Sequence, residues 1–453
     1  MEKYNLIVIG AGPGGYEAAL EAVKLGLRTA VIEEKHVGGT CLNHGCIPTK
    51  ALLHASEVYT EMMHAQKLGI TVGSVGLDMQ AMINRKNDVV QMLRSGIEGA
   101  LKQAKIDLYT GKGKIIDSNA VVVNDAILSA DNILIAAGSA PFVPPIEGIG
   151  NAGVMTSDGL LDCTEKIGSL TIIGGGVIGM EFAQVYNALG AEVTIIEAME
   201  RVLPTLDREI SQSITMSFKK REIKIVTGAV LERVEQNGKL LKSIYTIAEK
   251  TECVSSEKIL VAIGRRANTE GLFEGDFIET ERGQIKIDEY CRTNVKNIFA
   301  VGDCTYNAVQ LAHFSTAQGR NAVNYMAGKT MWYDLSLIPS CIYTNPEIAC
   351  VGMTQEAAKL AGIETKTVKY LMGANGKTQI KTDERGFVRL VARSSDGVLI
   401  GAQLFCCNAT DMIGELLLAI SRGLTAHQVA LVVHPHPTFV EAIGEAAKMM
   451  SKQ

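Results

Sequence analysis

The sequence lacks three features that would place it in other classes of protein. It has no basic surplus, since 44 lysines and arginines against 49 aspartates and glutamates give a formal net charge of −5. This balance argues against nucleic acid as the main partner. Its longest apolar runs fall far short of the roughly 18 residues that span a bilayer. Its first residues also lack the basic flank and apolar core of a secretory signal. We therefore expect a cytoplasmic protein with no membrane segment.

The cysteines are not spaced as a disulfide framework or as a metal site. Ten of them are spread over 453 residues, and without an export signal most are expected to be reduced, buried thiols. Cys41 and Cys46 form a C-x4-C pair. Zinc would need two more ligands at a suitable spacing, and no second pair supplies them. We therefore expect no metal site.

Glycine, in contrast, is abundant. The chain has 45 glycines in 453 residues, about a tenth against a usual ~7%, and they follow no Gly-X-Y period. This excess indicates many tight turns and close backbone approaches. At roughly 150 residues per domain, the length suggests about three domains.

An internal repeat accounts for part of this glycine. Residues 6–33, LIVIGAGPGGYEAALEAVKLGLRTAVIE, align without a gap with residues 170–197, LTIIGGGVIGMEFAQVYNALGAEVTIIE, and 11 of the 28 positions are identical. Each copy reads as an apolar strand, a glycine turn, an amphipathic helix and a second apolar strand. The repeat predicts a βαβ unit made twice.

Both copies carry the pattern G-x-G-x-x-G between strand and helix. The first glycine allows a sharp turn, the second lets a pyrophosphate approach the backbone, and the third lets helix pack on strand. The helix N-terminus then offers free N–H groups to the anion. The glycines are Gly10, Gly12 and Gly15 in the first copy and Gly174, Gly176 and Gly179 in the second.

An acid ends the second strand of each copy, Glu33 in the first and Glu197 in the second. A carboxylate there is suited to accept hydrogen bonds from a ribose diol. Glu197 favours a free 2′-hydroxyl and repels a 2′-phosphate, which predicts NAD and not NADP. Two such sites in one chain indicate a tightly held redox cofactor and an exchanging nicotinamide.

The fold class follows from these patterns. We predict an α/β chain with two Rossmann-like dinucleotide-binding domains. The first, for a flavin, spans residues 1–142 and 268–336 and includes Asp303, an acid after a strand that could bind the flavin polyol. The second, for NAD, spans residues 143–267. Residues 337–453 carry no third fingerprint and show hairpin and helix signals, which predict an α+β domain.

The segment that follows the first copy, residues 38–50, holds the cysteine pair in GGTCLNHGCIPTK. A run with helical character starts after Pro48, which would place the pair at a helix N-terminus, where a thiolate is stabilised. A redox role therefore fits the pair better than a metal half-site.

These motifs resemble those of the pyridine nucleotide–disulfide oxidoreductases, and most closely the members that oxidise dihydrolipoamide. GGTCLNHGCIPTKALL after GAGPGG is similar to their redox-active disulfide segment, and the resemblance covers essentially the whole chain. The further matching segments, in order, are VAIGRRANT (261–269), TNVKNIFAVGDC (293–304), IYTNPEIACVGMT (342–354) and HPHPTFVEAIGEAA (434–447).

The resemblance implies roles for the reacting residues. Cys41 would be the thiol that meets the dithiol substrate, and Cys46 the thiolate that faces FAD. His436 would be the base, since an imidazole can accept a thiol proton at neutral pH, and Glu441 would orient its ring. Taken outside this context, the two histidines of His434-Pro-His436 could instead bind metal or pack in the core, and we assign His434 to structure.

Further contact residues are also implied. Lys50 would lie near the flavin and pair with Glu181, because an unpaired buried charge is costly. Gly113, in the turn of residues 110–114, and Ala312 would contact FAD. Val230 and Gly264 would contact the nicotinamide dinucleotide.

The resemblance also implies partners. The third domain would form a two-fold homodimer and lend its histidine to the other subunit's disulfide. The substrate would be a lipoylated protein of a 2-oxoacid dehydrogenase complex or of the glycine cleavage system, carried on a separate chain.

Three alternatives stay open at this point. A glutathione-type reductase would need a basic site for NADP, which Glu197 opposes. A mercuric reductase would carry a further cysteine pair near the C-terminus, which this chain lacks. A flavin redox sensor or binding subunit would need none of the cysteine, histidine and glutamate set.

His44 stands where relatives are usually apolar, and a cationic neighbour predicts a pH-dependent redox poise of the thiols.

Overall fold

The computed structural model describes residues 2–275, 277–381 and 386–452. Two compact units make up the chain. The first comprises Met1–Ile173, Glu232–Ser243 and Ser255–Leu335, and the second comprises Gly174–Leu231, Ile244–Val254 and Ser336–Gln453. The three-domain boundaries stay a prediction, and their last residue, Gln453, lies outside the described residues. No helix in the described ranges is long and apolar enough to cross a membrane.

The β-strands of the described residues are numbered in chain order. They are β1 (Glu2–Ile9), β2 (Thr29–Glu33), β3 (Asp107–Thr110), β4 (Gly113–Asp117), β5 (Ala120–Val123), β6 (Ala126–Ile135), β7 (Ser139–Pro141), β8 (Val154–Met155), β9 (Ser169–Ile173), β10 (Glu192–Glu197), β11 (Lys224–Thr227), β12 (Ala229–Asn237), β13 (Leu240–Ile247), β14 (Lys250–Ser256), β15 (Lys258–Val261), β16 (Arg265–Ala267), β17 (Thr280–Glu281), β18 (Gln284–Ile285), β19 (Ile298–Ala300), β20 (Ser340–Ile342), β21 (Glu347–Gly352), β22 (Thr365–Leu371), β23 (Phe387–Arg393) and β24 (Leu399–Cys406).

The α-helices follow the same order. They are α1 (Pro13–Lys24), α2 (Gly39–His44), α3 (Cys46–Met63), α4 (Met79–Gln103), α5 (Ser157–Leu161), α6 (Val177–Ala188), α7 (Arg208–Lys220), α8 (Ala312–Met326), α9 (Gln355–Leu360), α10 (Gly376–Lys381), α11 (Ala409–Ser421), α12 (Ala426–Ala430) and α13 (Glu441–Ser451).

A mostly parallel sheet forms the core of the first unit. β1 pairs in parallel with β2 and β6, β2 with β3, and β6 with β19. The central strands are near-continuous apolar runs, as expected for strands covered on both faces. β4 and β5 extend the sheet from β6 in antiparallel fashion. The carboxyl ends of the parallel strands share one edge, which is where ligands bind in open α/β sheets.

The sequence marks both ends of α1, the helix of the first copy. Pro13 occupies the first helical position, where a missing N–H costs nothing. The helix ends before Gly26, whose φ of +83° suits glycine. α1 packs on α8 so closely that a Cβ on Gly319 would lie 2.3 Å from the Gly14 carbonyl oxygen. Both helices therefore touch at the backbone on one side of the sheet.

The second copy has the same strand–helix–strand order, in β9, α6 and β10. α6 ends before Gly190, with a φ of +93°, at the position equivalent to Gly26. In the second unit β10 pairs in parallel with β11. In the first unit β15 pairs in parallel with β9 and with β8.

The C-terminal part of the second unit contains an antiparallel sheet in the order β20-β21-β24-β23-β22. The predicted hairpin is β23 and β24, and the two predicted helices are α11 and α13. Apolar side chains of the sheet and of α11, α12 and α13 form one core. This part is α+β, as the sequence predicted.

Candidate active site

The first fingerprint turn has no room for side chains at two of its glycines. Gly10 has a φ of +100°, and a Cβ there would lie 2.3 Å from the Ala136 carbonyl oxygen. A Cβ on Gly15 would lie 1.9 Å from the Gly10 carbonyl oxygen. A Cβ on Gly12 would meet nothing nearer than the Gly39 Cα at 3.8 Å. The turn is thus closed towards the sheet and helix and open at Gly12, where a pyrophosphate would approach.

Glu33 is held in place by the backbone around this turn. Its Oε2 accepts a hydrogen bond from the Ala11 N–H at 2.8 Å, and its Oε1 accepts one from the Lys35 N–H at 2.9 Å. A carboxylate oxygen can accept more than one hydrogen bond. The acid is therefore oriented at the end of β2 and retains capacity for a ribose hydroxyl.

The other predicted flavin contacts lie at the same edge of the sheet. Gly113 is the first residue of β4 and not part of the preceding turn, and a Cβ there would lie 3.2 Å from side-chain atoms of Ile32 and Ile9. Asp303 follows β19, and its Oδ2 accepts a hydrogen bond from the Ser139 hydroxyl at 2.6 Å. Ala312 begins α8, which packs on α1. These residues fit a dinucleotide laid across the strand ends.

Gln318, for which the sequence suggested no role, has a structural one. Its side chain is buried, and its Oε1 accepts a hydrogen bond from the Gly302 N–H at 2.8 Å. Gly302 has a φ of +75° and precedes Asp303. Gln318 therefore fixes the turn that presents Asp303.

The second fingerprint repeats the backbone hydrogen bonds of the first. Glu197 Oε2 accepts a hydrogen bond from the Gly175 N–H at 2.5 Å, and its Oε1 accepts one from the Met199 N–H at 2.7 Å. Gly174 has a φ of +109°. A Cβ on Gly176 would meet no heavy atom of the described chain within 4 Å. The residues around this turn fit a dinucleotide as well.

The two remaining predicted nicotinamide contacts lie in different units. Val230 on β12 belongs to the second unit, and its side chain is exposed although it is apolar. Gly264 follows β15 in the first unit and has a φ of +133°. Their joint contact with a nucleotide stays a prediction.

The cysteine segment is anchored to the first fingerprint. The Gly38 N–H donates a hydrogen bond to the Ala11 carbonyl at 2.7 Å. Gly39 has a φ of +56°, and a Cβ there would lie 2.6 Å from the Gly12 Cα. The chain entering α2 therefore touches the dinucleotide turn, which places the thiols of the same unit next to it.

The two cysteines lie on two different helices. Cys41 belongs to the short α2, and Cys46 is the first residue of α3. The expected start of the helix after Pro48 is wrong by three residues, because α3 already begins at Cys46. The sequence predicted that the pair lies at one helix N-terminus. Cys46 lies at the N-terminus of α3, whereas Cys41 lies in α2.

The two cysteine side chains are hydrogen-bonded to each other. This hydrogen bond, burial and the negative charge of an ionised Cys46 raise the pKa of the Cys41 thiol, and the Lys50 cation opposes the rise. Once Cys46 has lost its proton, Cys41 keeps its own. The reduced pair is thus suited to be one thiol and one thiolate, with the thiolate at the N-terminus of α3.

A half-buried arginine near this pair was not predicted from the sequence. Arg265 donates from Nε to the Ser139 hydroxyl at 2.7 Å and from Nη2 to the Ser139 carbonyl at 2.7 Å. Its Nη2 also lies 3.4 Å from the Thr40 hydroxyl, next to Cys41. Burial lowers the pKa of the guanidinium, and the charges of Asp303, Asp158 and Cys46 raise it. The segment VAIGRRANT signals this residue, but only the fold brings it to the thiols.

In the second unit, His436 and Glu441 form the predicted pair. His436 Nδ1 lies 2.8 Å from Glu441 Oε1, and the ring is 77% exposed. Glu441 Oε2 accepts a hydrogen bond from the Thr438 N–H at 2.8 Å. That N–H and the His436 ring lower the pKa of the Glu441 carboxyl. The carboxylate therefore stays charged and leaves Nε2 as the ring nitrogen that can exchange a proton.

His434 also pairs with a glutamate, but its side chain is far less exposed than that of His436. Its side chain is 9% exposed, and its Nε2 lies 2.8 Å from Glu415 Oε1 on α11. A Cβ on Gly444 of α13 would lie 2.6 Å from His434 Nδ1. These contacts agree with a structural role for His434.

Glu181 is buried on α6, and its Oε1 accepts a hydrogen bond from the Tyr343 N–H at 3.0 Å. Lys50 lies close enough to Cys41 to influence its pKa. The two residues belong to different units, so their pairing stays a prediction.

Comparison with known protein families shows to which family the chain belongs. Residues 4–319 match the family described as pyridine nucleotide-disulphide oxidoreductase, and residues 338–447 match its dimerisation domain. The chain belongs to the pyridine nucleotide-disulphide oxidoreductase family. The predicted fold class, two dinucleotide-binding domains and an α+β dimerisation domain, is confirmed.

Relatives of known name match along nearly the whole chain. The dihydrolipoyl dehydrogenase of Bacillus subtilis is 39% identical over 98% of this chain and 97% of its own length. The enzyme of the same name from Geobacillus stearothermophilus is 38% identical over 98% and 95%. A solved structure of RclA, an HOCl-induced flavoprotein disulfide reductase from Escherichia coli, superposes with a TM-score of 0.88 at 28% identity, covering 98% of this chain and 100% of that one.

The family assignment fixes the class of chemistry. The chain is an oxidoreductase of the flavoprotein disulfide class, and the cofactors of this family are FAD and NAD(H). Both fingerprint turns fit dinucleotides, as their geometry shows. The dimerisation domain supports a homodimer.

Proposed function

We propose that this enzyme oxidises protein-bound dihydrolipoamide to lipoamide with NAD, through a disulfide between Cys41 and Cys46. The observation that carries the proposal is the contact between these two thiols on a segment bonded to the first fingerprint turn. The names of the relatives at 39% and 38% identity support the substrate. Glu197 at the second fingerprint supports NAD as the nucleotide.

The base in this proposal is His436. Its Nδ1 is engaged by Glu441 at 2.8 Å, so Nε2 takes the proton of a substrate thiol. The negative Glu441 stabilises the imidazolium that forms. Because the ring is 77% exposed, a thiol on a flexible lipoyl arm can reach it.

Thiol–disulfide exchange then follows in two steps. The substrate thiolate attacks Cys41 Sγ, the S–S bond breaks, and Cys46 leaves as a thiolate. The second substrate thiol, also deprotonated, attacks the mixed disulfide and releases lipoamide, and Cys41 takes up a proton. Two electrons and two protons leave the substrate, and the electrons rest on the Cys41–Cys46 pair.

FAD, when bound, supplies the chemistry that carries the two electrons from this pair to NAD. In the proposal Gly10, Gly12, Gly15, Glu33, Lys50, Gly113, Asp303 and Ala312 hold FAD, while Gly174, Gly176, Gly179, Glu181, Glu197, Val230 and Gly264 serve the NAD side. The chain's own part is to orient both nucleotides and to keep Cys46 deprotonated at the start of α3.

The dimer has a direct role in this proposal. The His436–Glu441 pair of one subunit acts at the Cys41–Cys46 pair of the other, so each active site needs both chains. The lipoylated partner is a protein of a 2-oxoacid dehydrogenase complex or of the glycine cleavage system. A cytoplasmic location stays a prediction.

A second candidate is another disulfide or metal reductase of the same fold. One related structure is a Cu(II) complex of the Escherichia coli reductase, 29% identical to this chain. In the part of the chain that the structure describes, no group of three or more metal-binding side chains is found. The lower identity and this geometry favour the dihydrolipoamide reaction.

The test is an anaerobic assay of the purified flavoprotein with dihydrolipoamide and NAD, with glutathione disulfide and Cu(II) as competing substrates in the reverse direction with NADH. We expect turnover with dihydrolipoamide and its loss in Cys41→Ser. Turnover with Cu(II) or glutathione disulfide alone would overturn the proposal in favour of the second candidate.

A further inference from the structure

An asparagine between the two cysteines is fixed by four hydrogen bonds. Asn43 lies in α2 and is buried. Its Nδ2 donates to the Val37 carbonyl at 3.0 Å and to the Gly39 carbonyl at 2.9 Å. Its Oδ1 accepts from Arg94 Nε at 3.0 Å and from Arg94 Nη2 at 2.7 Å. Two donors and two lone pairs are all that this amide offers, so its capacity is filled.

The arginine reaches Asn43 from a different helix. Arg94 lies on α4, 51 positions further along the chain. Its remaining terminal nitrogen, Nη1, lies 3.4 Å from Gln91 Oε1 on the same helix. Two N–H groups of a guanidinium form a rigid fork, and here both point at one oxygen. The 25-residue helix α4 therefore holds the six-residue helix α2.

Helix α2 needs such support because of its length. An isolated helix of six residues is not stable in water, and α2 is flanked by two glycines, Gly38 and Gly45. Yet Cys41 within it must stay in contact with Cys46 at the start of α3. A fixed Asn43, two residues from Cys41, limits how far α2 can move.

We propose that Asn43 and Arg94 are positioning residues that hold Cys41 against Cys46 and thereby set the reduction potential of this pair. The inference rests on the proposed function, in which the pair cycles between disulfide and dithiol. The inference adds two residues that affect the reduction potential and that are neither the cysteines, nor the base, nor cofactor contacts.

The direction of the effect follows from comparing the two states. Reduction adds two electrons and one proton, breaks the S–S bond and leaves a thiol on Cys41 and a thiolate on Cys46. In the disulfide the covalent bond itself keeps Cys41 beside Cys46, whereas in the dithiol only contacts such as the Asn43–Arg94 hydrogen bonds do. Removing these contacts frees the dithiol more than the disulfide. The dithiol therefore gains entropy, and the potential becomes less negative.

The experiment uses the FAD-loaded enzyme and does not depend on turnover. The protein is equilibrated anaerobically with mixtures of reduced and oxidised dithiothreitol, so that the enzyme disulfide is reduced as dithiothreitol closes to its cyclic disulfide. Free thiols are then trapped with a maleimide, and the peptide holding Cys41 and Cys46 is measured by mass spectrometry. The ratio of dithiol to disulfide gives the equilibrium constant.

For Arg94→Ala we expect the equilibrium to move about tenfold towards the dithiol, which is about 30 mV for a two-electron couple. Asn43→Ala is expected to give a similar shift. The double variant should add little to either single one, because both remove the same contact. Unchanged equilibria in both single variants overturn the inference.

Two further variants test whether the shift comes from the hydrogen bonds to Asn43, from the positive charge of residue 94, or from a general destabilisation of α4. Arg94→Lys keeps the cation but loses the fork, and should show most of the Arg94→Ala shift; wild-type behaviour would mean that charge alone matters and would overturn the inference. Lys86→Met, on the same helix, removes a hydrogen bond to the Leu161 carbonyl (3.1 Å) and an ion pair with the exposed Asp162 (2.6 Å), and neither partner lies on α2. It should leave the equilibrium unchanged, and an equal shift there would also overturn the inference. A wild type that never forms the disulfide would instead refute the proposed function, and the inference with it.

Discussion

The two fingerprint copies share a backbone design and differ in what surrounds it. In both, the acid at the end of the second strand accepts two backbone N–H groups, one from the glycine turn and one from two residues further on. The first copy lies wholly in one compact unit, whereas the boundary between the units falls between Ile173 and Gly174, inside the second copy. The repeat thus conserves the nucleotide turn and not its surroundings.

One equivalent position shows this difference most clearly. Glu17 and Glu181 are 164 residues apart and occupy the same place in the two helices. Glu17 is partly exposed and forms an ion pair with Arg320 of α8 at 2.7 Å. Glu181 is buried and accepts a hydrogen bond from the Tyr343 backbone. The same residue supports helix packing in one copy and holds the start of the C-terminal sheet in the other.

The largest expected effect, on flavin retention, comes from substituting a glycine in one of the two fingerprint turns at a time. Gly15→Val would place a side chain where even a Cβ lies 1.9 Å from the Gly10 carbonyl oxygen, so we expect a colourless or unfolded protein. Gly176→Ala would meet no described atom within 4 Å, and the protein should stay yellow. Flavin absorbance after gel filtration measures both. A yellow Gly15→Val protein would contradict this account of the first turn.

The second prediction separates the two half-reactions that the copies serve. Removing the base with His436→Gln should lower dihydrolipoamide oxidation by about 10²–10⁴-fold, the usual contribution of general base catalysis. Flavin reduction by NADH should persist, since no thiol proton moves in that step. Stopped-flow traces of each half-reaction provide the measurement, and equal losses in both would count against His436 as the base.

A smaller effect is expected at the acid of the second copy. Glu197→Gln keeps an acceptor but removes the negative charge that opposes a 2′-phosphate, so preference for NAD over NADP should fall about 10-fold or more, or about 1.4 kcal/mol. The same change at Glu33 should leave this preference untouched and weaken FAD retention instead. Preference is read as the ratio of kcat/KM for the two nucleotides. An identical ratio in Glu197→Gln would show that the acid does not select the nucleotide.

The two equivalent glutamates, Glu17 and Glu181, should differ in how much they contribute to the free energy of unfolding. Glu181→Ala removes a buried carboxylate that accepts a hydrogen bond from the Tyr343 N–H. The loss of a hydrogen bond to a charged group costs about 1.5–3 kcal/mol. Glu17→Ala removes a partly exposed ion pair, which is worth about 0–1 kcal/mol. Urea unfolding monitored by circular dichroism gives the difference. A larger loss for Glu17→Ala would reverse the ranking by burial.

The smallest expected effect concerns the charge at position 44. The raised pKa of Cys41 means that the reduced pair holds a single negative charge, carried by Cys46, as pH rises. The sequence predicts that a cationic neighbour at position 44 influences the redox poise of the thiols. His44→Val should therefore change the pH profile of flavin reduction between about pH 5 and 8. A superimposable profile would remove His44 from the redox chemistry.

Much of this molecule was predictable because its signals are local. The two fingerprints, their acids and the C-terminal hairpin depend on short runs of glycine and apolar residues whose backbone requirements are fixed by sterics. The start of α3 at Cys46 was missed because its first residues follow Gly45 directly and include Pro48, so that the segment looks like a loop up to the proline. Gly113 was placed in a turn because glycine is common there, but close packing on Ile32 and Ile9 puts it at the start of a strand.

Long-range partners were beyond local patterns. Arg265 lies 225 positions from Thr40, and Arg94 lies 51 positions from Asn43. Nothing in the immediate neighbourhood of either arginine indicates which residue it will contact. Both join the thiol environment only because folding brings distant segments of the first unit together.

By itself the sequence determined that this chain binds two dinucleotides, that a close cysteine pair follows the first, and that a histidine with a glutamate five residues on stands near the C-terminus. Those features depend only on the types of the residues and on their spacing along the chain. Only the tertiary structure decided that Arg265 lies near the thiols, which of the two histidines is exposed, and what holds α2 in place. These properties depend on burial and on side-chain contacts between distant segments, and such contacts exist only once the chain has folded.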